Sequence, residues 1–227
     1  FEGRLLWAKQ LIRNWLEANC FTEPVFYADL GSGTGGFGIS LQDQLAIEKT
    51  LLTDKDSSAL DRIDNRDQIK KLKIDLESDF SLPFTPNLIT CMDVIEHLKD
   101  DETFLRRTSS QLKPGGLLIV SAPAHPFLYS SWDHQLGHYR RYSKHNLIKK
   151  LEKTGFKIQQ ASYGWSFLFP IAPYRFFTSK SQEKLKYPNV PKWLNRLLIK
   201  ASKIEVELSS WIPFPFGTSI FISAIKE

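Results

Sequence analysis

Cysteine is scarce in this chain of 227 residues, in which Cys20 and Cys91 are the only two. Two cysteines cannot build a disulfide framework, and their spacing is not that of a metal-binding cluster. Long apolar runs are also lacking, because the longest uncharged stretch, residues 208–225, is interrupted by two prolines and a glycine. These features exclude a disulfide-stapled secreted domain and a transmembrane helix at 208–225, and they favour a reducing, cytoplasmic setting.

The charge balance is only mildly basic. The formal net charge is +5, the isoelectric point is near 9.1, and hydrophobic and charged residues make up 42% and 24% of the chain. An ordinary soluble globular protein explains this balance more simply than a nucleic-acid partner does. A nucleic-acid partner is also disfavoured because the chain has no base-flipping signature of the Asn-Pro-Pro-Tyr kind. We expect no bound metal.

Short apolar runs alternate along the chain with stretches of helical period. Helices are predicted at 4–18, 36–46, 56–69, 100–112 and 143–154, and strands at 25–30, 49–54, 71–76, 87–93, 117–123, 156–162 and 218–226. This alternation predicts an α/β fold, a three-layer αβα sandwich around a mostly parallel sheet. We predict a single domain over 1–227, with a core at about 20–163 and 213–227 and a helical insertion at about 164–212 between the last two strands.

The segment "YADLGSGTGG", residues 27–36, places four glycines directly after a predicted strand. Such a loop lets a ligand approach the main chain at the start of a helix. Gly31, Gly33 and Gly36 match the dinucleotide spacing G-x-G-x-x-G, so a nicotinamide cofactor is one interpretation. Asp29 argues against it, because a carboxylate beside the loop would oppose a pyrophosphate and would hold an ammonium group.

Two more carboxylates end the neighbouring predicted strands. Asp54 follows the glycine loop by about twenty residues, where an acidic side chain accepts hydrogen bonds from both hydroxyls of a ribose. Asp75 closes the third strand, where an adenine amino group would be recognised. A helix cap at Asp54 and a turn at Asp75 are the alternative interpretations of these two residues.

In this order and spacing, the motifs resemble those of the class I S-adenosylmethionine-dependent methyltransferases. The matching segments are "YADLGSGTG", "LLTDKD", "KIDLE", "MDVIEHL" and "LKPGGLLIVSAP". The resemblance covers roughly 25–165 plus the final strand. The stretch "WDHQLGHYRRYSKHNL" of this chain resembles one subgroup of the family, which is distantly similar to the ubiquinone-pathway O-methyltransferases. The resemblance implies a Rossmann-like seven-stranded sheet whose last strand is antiparallel.

The resemblance also implies a cofactor and its site. The cofactor would be S-adenosylmethionine, with S-adenosylhomocysteine as the product. The residues that would surround its methionine part are Asp29, Gly31, Gly33 and Gly35. Asp54 would bind the ribose, Asp75 and Leu76 would flank the adenine, and Asp93 would lie near the methionine end.

The candidates for catalysis and acceptor binding come from two segments. His97 follows the fourth strand and has a pKa suited to taking a proton, and His138 lies in the loop beyond the fifth strand. A structural role is the alternative for both. In "GHYRRYS", Arg140 and Arg141 would clamp an anionic group, and the aromatic neighbours Tyr139 and Tyr142 would stack or hydrogen-bond. A solvated basic turn is the alternative there.

The predicted insertion begins with a segment rich in aromatic residues. An amphipathic helix follows, whose apolar positions are Leu194, Leu197, Leu198, Ala201, Ile204 and Leu208. The insertion is interpreted either as a lid over the active site or as a peripheral membrane contact that collects a lipid-like acceptor. The sequence thus favours a methyltransferase acting on a small or lipid-linked acceptor, with oxygen as the target atom. An NAD(P)-dependent oxidoreductase and a non-catalytic S-adenosylmethionine-binding protein are the alternatives.

Overall fold

The computed structural model describes residues 2–18, 23–171, 190–209 and 214–227 of the chain. Its helices are α1 (Glu2–Ala18), α2 (Gly36–Gln44), α3 (Ser57–Asp61), α4 (Asp101–Gln111), α5 (Ser131–Leu136), α6 (Lys144–Lys153) and α7 (Lys192–Ser209). Its strands are β1 (Val25–Leu30), β2 (Ile47–Asp54), β3 (Ile69–Lys73), β4 (Leu88–Met92), β5 (Leu117–Pro123), β6 (Phe156–Gly164) and β7 (Ser219–Lys226). Short 3₁₀ turns occur at Ile95–His97, Pro126–Leu128 and Ser166–Ile171.

The seven strands form one sheet in the order β3-β2-β1-β4-β5-β7-β6. The first five strands along the chain run parallel, and β7 lies antiparallel between β5 and β6. The predicted seven-stranded sheet with an antiparallel last strand is confirmed. The strand order reverses between β1 and β4, and a crevice at the carboxyl ends of the strands at such a point is where open α/β sheets bind ligands.

Apolar side chains cover both faces of the sheet. On one face α1 contributes Trp15 and Leu11 to a buried cluster with the first strands. On the other face Phe104 of α4 and Leu147 of α6 join a larger cluster that includes residues of β1, β4 and β5. The three layers are therefore helix, sheet and helix, as predicted, and Cys91 is buried within this core.

One predicted helix is much shorter than expected. The prediction of 56–69 was wrong in length, because α3 ends at Asp61 and β3 begins at Ile69. The intervening segment is rich in Asp and Asn, whose side chains compete for backbone hydrogen bonds and favour turns. The ammonium of Lys71 fixes this loop by donating to the carbonyl of Ile63 and to Asn65, both at 2.9 Å.

Helix α7 contacts α1 through a face that is largely polar. Ser202, Glu205, Val206 and Ser209 are its buried residues. The apolar positions predicted for this helix do not all face the core. Leu197, Ile204 and Leu208, together with Trp193, are 50–68% exposed. Much of the predicted insertion, including residues 172–189 and 210–213, and Cys20 lie outside the described residues. Among the helices that the structure describes, none combines the length and the hydropathy needed to cross a membrane.

Candidate functional site

A cavity of about 270 Å³ opens at the carboxyl ends of the strands, next to the reversal in strand order. Its lining includes five of the residues predicted for cofactor binding, namely Gly31, Asp54, Asp75, Leu76 and Asp93. His97, a predicted catalytic residue, belongs to the same wall. The fold therefore brings together residues that are up to 66 positions apart in the sequence (97 minus 31).

The glycine loop between β1 and α2 depends on a left-handed backbone. Gly31, Gly33 and Gly35 have φ angles of 74°, 55° and 73°, which side-chain-bearing residues rarely adopt. A Cβ on Gly31 or Gly35 would also lie within 2.6–2.7 Å of Val94 or Ile63, whereas a Cβ on Gly33 would meet nothing within 4 Å. Gly33 thus leaves open space at the loop, into which a ligand can approach the main chain.

Asp54 links the glycine loop to the end of β2. Its Oδ2 accepts a hydrogen bond from the backbone N–H of Gly33 at 2.8 Å, and its Oδ1 accepts one from Asp56 at 2.9 Å. The N-cap of α3 is Asp56, which excludes the capping role considered for Asp54. A carboxylate has about four acceptor positions, so two remain for hydroxyl groups in the cavity.

Asp75 and Leu76 come shortly after the end of β3 and line the same cavity. The Oδ1 atom of Asp75 accepts from the backbone N–H of Glu77 at 3.0 Å, so the turn holds its carboxylate in place. Leu76 is buried and presents an apolar wall. A carboxylate beside an apolar surface suits a flat base with an exocyclic amino group.

Asp29 is buried at the end of β1, where it borders a smaller cavity of about 200 Å³ with Gly31 and Arg4. The hydroxyl of Thr90 donates to its Oδ1 at 2.6 Å. Burial raises the pKa of this carboxyl from 3.8 to about 7, although hydrogen bonds from Thr90 and Tyr27 oppose the shift. A buried carboxyl with this pKa can ionise when a cationic group comes beside it.

Asp93 lies between the two cavities and borders both. It has a positive φ of 54°, and the Ser121 hydroxyl donates to its Oδ1 at 2.8 Å. Its other oxygen pairs with the guanidinium of Arg4 from α1, which also stacks over the Trp165 ring at 5.2 Å. Sequence reasoning missed Arg4, because an amphipathic helix 89 residues away carries no motif that would indicate it.

His97 and His138 lie next to each other, although 41 residues separate them in the sequence (138 minus 97). Their rings meet edge to face with centroids 4.7 Å apart. Burial, and then the neighbouring His138, lower the pKa of His97. The Nδ1 of His138 lies 3.0 Å from Oδ1 of the buried Asp133. Asp133 was missed by sequence reasoning, and its only signal was the capping box that it forms with Ser130.

The "HYRRY" segment serves mainly the fold. The Arg140 guanidinium lies 3.2 Å from Asp101, and that of Arg141 lies 2.8 Å from Asp133. Both guanidiniums are thus neutralised by buried carboxylates and are not held ready for an anionic substrate. These two residues therefore drop out of the proposed acceptor site.

Tyr142 also drops out of the proposed acceptor site. It is 2% exposed, and its hydroxyl donates to Asp101 at 2.7 Å and to the Ile95 carbonyl at 3.2 Å. Burial raises the pKa of Asp101, but hydrogen bonds from Lys150 and Tyr142 outweigh it and hold that pKa below the ordinary value. Of the predicted substrate residues, Tyr139 alone is substantially exposed, at 49%.

A third cavity, of about 530 Å³, lies between α1, α7 and the 3₁₀ turn after β6. Its wall includes Arg4 and Trp165, which connect it to Asp93, and Leu198 and Ile199 of α7. Because Arg4 borders both this cavity and the one beside Asp29, the two spaces are neighbours. The arrangement provides room for a second molecule next to the cofactor cavity.

The fold, with a cavity at the point where the strand order reverses, is that of a ligand-binding α/β domain. A family model described as a methyltransferase domain matches residues 9–161, which is most of the chain. The chain therefore belongs to this family, and the protein is a methyltransferase of class I. The similarity to ubiquinone-pathway O-methyltransferases stays a prediction.

Solved structures share the fold at low sequence identity. An S-adenosylmethionine-dependent methyltransferase from Mesorhizobium loti has 15% identity and a TM-score of 0.59, with 89% of this chain and 91% of that chain covered. Phosphoethanolamine N-methyltransferase 2 from Haemonchus contortus, in complex with S-adenosylmethionine, has 17% identity and a TM-score of 0.61, with coverages of 91% and 49%. The N-methyltransferase NodS from Bradyrhizobium japonicum, in complex with S-adenosylhomocysteine, has 14% identity and a TM-score of 0.56, with coverages of 96% and 84%.

Proposed function

We propose that the protein transfers the methyl group of S-adenosylmethionine to a hydroxyl oxygen of a small or lipid-linked acceptor. Its cofactor is S-adenosylmethionine, as in the complexes of its structural neighbours. The observation that carries the cofactor assignment is the buried carboxylate of Asp29 beside Gly31. In its ionised form this carboxylate would repel a pyrophosphate, whereas it would stabilise the ammonium group of a methionine tail.

The remaining cofactor residues are proposed from their positions at the 270 Å³ cavity, which we call the cofactor cavity. Asp54 would accept hydrogen bonds from the two ribose hydroxyls, and Asp75 with Leu76 would hold the adenine. Gly33 leaves the space through which the main chain approaches the cofactor. Asp93 and its partner Arg4 would lie at the methionine end, next to the space for the acceptor.

The acceptor hydroxyl is proposed to be activated at the His97–His138 pair. His97 borders the cofactor cavity, and His138 is oriented by the buried Asp133. Methyl transfer is a direct displacement at carbon, so positioning the two substrates supplies much of the rate, and loss of the hydroxyl proton makes oxygen a better nucleophile. Tyr139, which is accessible, is proposed as an aromatic contact for the acceptor.

A lipid-linked acceptor is supported by the outer face of α7. Trp193, Leu197, Ile204 and Leu208 form an exposed apolar stripe on this face, and the basic residues Lys192, Arg196, Lys200 and Lys203 lie beside it on the same helix. An apolar stripe with neighbouring cations suits the surface of an anionic membrane. The opposite face of the same helix borders the 530 Å³ cavity, where an acceptor drawn from that surface would enter.

Two measurements test the function. Isothermal titration should give tighter binding of S-adenosylhomocysteine than of NAD, and labelled S-adenosylmethionine should transfer its methyl group to members of a panel of phenols, catechols and prenylated phenols. His97→Gln should keep S-adenosylhomocysteine binding and lose most of the transfer, with His134→Gln as the matched control on an exposed histidine. Tighter binding of NAD would overturn the cofactor assignment, and cofactor binding without transfer to any acceptor would favour the non-catalytic alternative.

The membrane contact is tested by sedimentation with vesicles. The protein should pellet with vesicles containing phosphatidylglycerol and remain in solution with pure phosphatidylcholine. The double variant Trp193→Ser, Leu197→Ser should lose the binding, whereas Phe127→Ser, which removes an exposed aromatic outside α7, should keep it. Equal binding by both variants would show that α7 is not the contact surface.

A further inference from the structure

We propose that Glu96, His97 and His138 bind a divalent transition-metal ion at the edge of the cofactor cavity. The three side chains offer one ligand atom each, and these atoms all lie within 4.8 Å of one another. The site is assigned from the geometry of the described residues, and it departs from the expectation from sequence that no metal is bound. It deepens the proposed function, because the same two histidines are the groups that would activate the acceptor.

Glu96 is the first reason for a cation here. The residue is 1% exposed, and neither of its carboxylate oxygens has a hydrogen-bond partner within the part of the chain that the structure describes. A buried carboxylate left without any partner is costly, and such groups in native structures mark an ion, a water or a functional role. A cation bound at this carboxylate would supply the missing partner.

The second reason is the way in which His138 is held. Its Nδ1 lies 3.0 Å from Oδ1 of the buried Asp133, so a metal would bind at the other ring nitrogen, Nε2. Metal-binding histidines are typically oriented in this way, by a carboxylate or a backbone carbonyl on the second nitrogen.

The donor set selects the class of metal. Two imidazole nitrogens and one carboxylate suit Zn²⁺, Fe²⁺, Co²⁺ or Mn²⁺ better than Ca²⁺ or Mg²⁺, which prefer all-oxygen ligands. Three protein ligands leave a coordination position open, which is typical of catalytic sites. His97 borders the cofactor cavity, so an acceptor oxygen can reach this position from the cavity.

A metal at this place would assist methyl transfer by lowering the pKa of the acceptor hydroxyl. The hydroxyl proton passes to water, and the oxygen then bonds to the methyl carbon. The bond between that carbon and the sulfonium sulfur breaks, and its electron pair stays on sulfur to give S-adenosylhomocysteine. The step needs no oxidant or reductant, and the metal keeps its oxidation state.

The experiment uses the whole chain without a polyhistidine tag, stripped with a chelator and titrated with Co²⁺ as a spectroscopic probe and with Zn²⁺ in competition. We expect one equivalent of Co²⁺ to give d–d absorption of a mixed nitrogen and oxygen site, which Zn²⁺ abolishes. Glu96→Gln and His138→Asn should each weaken binding at least tenfold. His134→Asn, the matched control at an exposed histidine outside the cluster, should leave it unchanged.

Titration of S-adenosylhomocysteine in the same samples separates the two proposals. Retained binding in Glu96→Gln shows that the variant is folded, so its loss of Co²⁺ absorption is due to the ligand. Absence of Co²⁺ absorption in the wild-type chain, or equal absorption in wild type and Glu96→Gln, would overturn the metal site. Methyl transfer that persists undiminished in the stripped protein would overturn the role of the metal in the reaction. This result would leave the proposed methyltransferase function intact.

Discussion

Replacement of Asp54 by alanine tests the cofactor site at the residue with the most defined geometry. In the folded chain its two oxygens accept from the backbone of Gly33 and Asp56 at 2.8 and 2.9 Å, which leaves acceptor positions for the ribose. Hydrogen bonds that involve a charged group contribute about 1.5–3 kcal/mol each, and losing a partner costs about 1–3 kcal/mol. We therefore expect Asp54→Ala to weaken S-adenosylhomocysteine binding by about 1–3 kcal/mol, which is roughly 5- to 150-fold in Kd.

The assay is isothermal titration of the folded variants with S-adenosylhomocysteine. Asp56→Ala is the matched control, because it removes a neighbouring carboxylate and changes the net charge equally. Its side chain caps α3 by accepting from Ser58 at 2.9 Å and does not border the cofactor cavity. The control should bind as the wild type does, even if α3 is less stable. Affinity within twofold of wild type in a folded Asp54→Ala protein would refute the ribose assignment.

Of four further predictions, two concern pH, one the glycine loop and one the core. Because the Asp29 carboxyl has a pKa of about 7 in the free protein, its ionised form increases from pH 6 to 7.5, so S-adenosylhomocysteine affinity should rise over that window, and calorimetry should find this rise missing in Asp29→Asn. Because the pKa is raised in the folded state, the stabilisation by this carboxyl is present below about pH 4 and is lost as the pH rises through 7. Urea unfolding of the wild type and of Asp29→Asn checks this, and a difference in their free energies of unfolding that does not change with pH would contradict it. Gly35→Ala should lower the melting temperature more than Gly33→Ala, because its Cβ would lie 2.7 Å from Ile63, whereas Gly33→Ala should reduce mainly cofactor affinity; the reverse order would contradict the loop geometry. Tyr142→Phe should destabilise the fold by about 1–3 kcal/mol in urea unfolding, since Asp101 loses a buried hydrogen bond, and should leave the KM for the acceptor unchanged; a raised KM would return this tyrosine to the acceptor site.

The sequence alone determined the fold class and the edge of the sheet at which the proposed cofactor residues gather. Strand and helix periodicities are local, so the alternation that builds a parallel sheet can be read without knowledge of any contact. The glycines and the carboxylates of Asp29, Asp54 and Asp75 occupy the ends of successive strands, and the carboxyl ends of parallel strands meet at one edge of the sheet. For this reason the cavity contains most of the residues expected there. The length of α3 could not be predicted in this way, because the Asp-rich segment that follows it is held in its loop by Lys71, a residue further along the chain.

Only the tertiary structure showed which polar side chains on the proposed acceptor side have buried partners. Arg140, Arg141 and Tyr142 have the residue types of a substrate clamp, and the buried partners that engage them, Asp101 and Asp133, are close only after folding. The meeting of His97, His138 and Glu96, whose carboxylate has no hydrogen-bond partner among the described residues, likewise arises from the packing of the loop after β5 against the turn after β4. Whether a polar side chain is engaged or available depends on contacts between residues far apart in the chain, and no local pattern of sequence encodes those contacts.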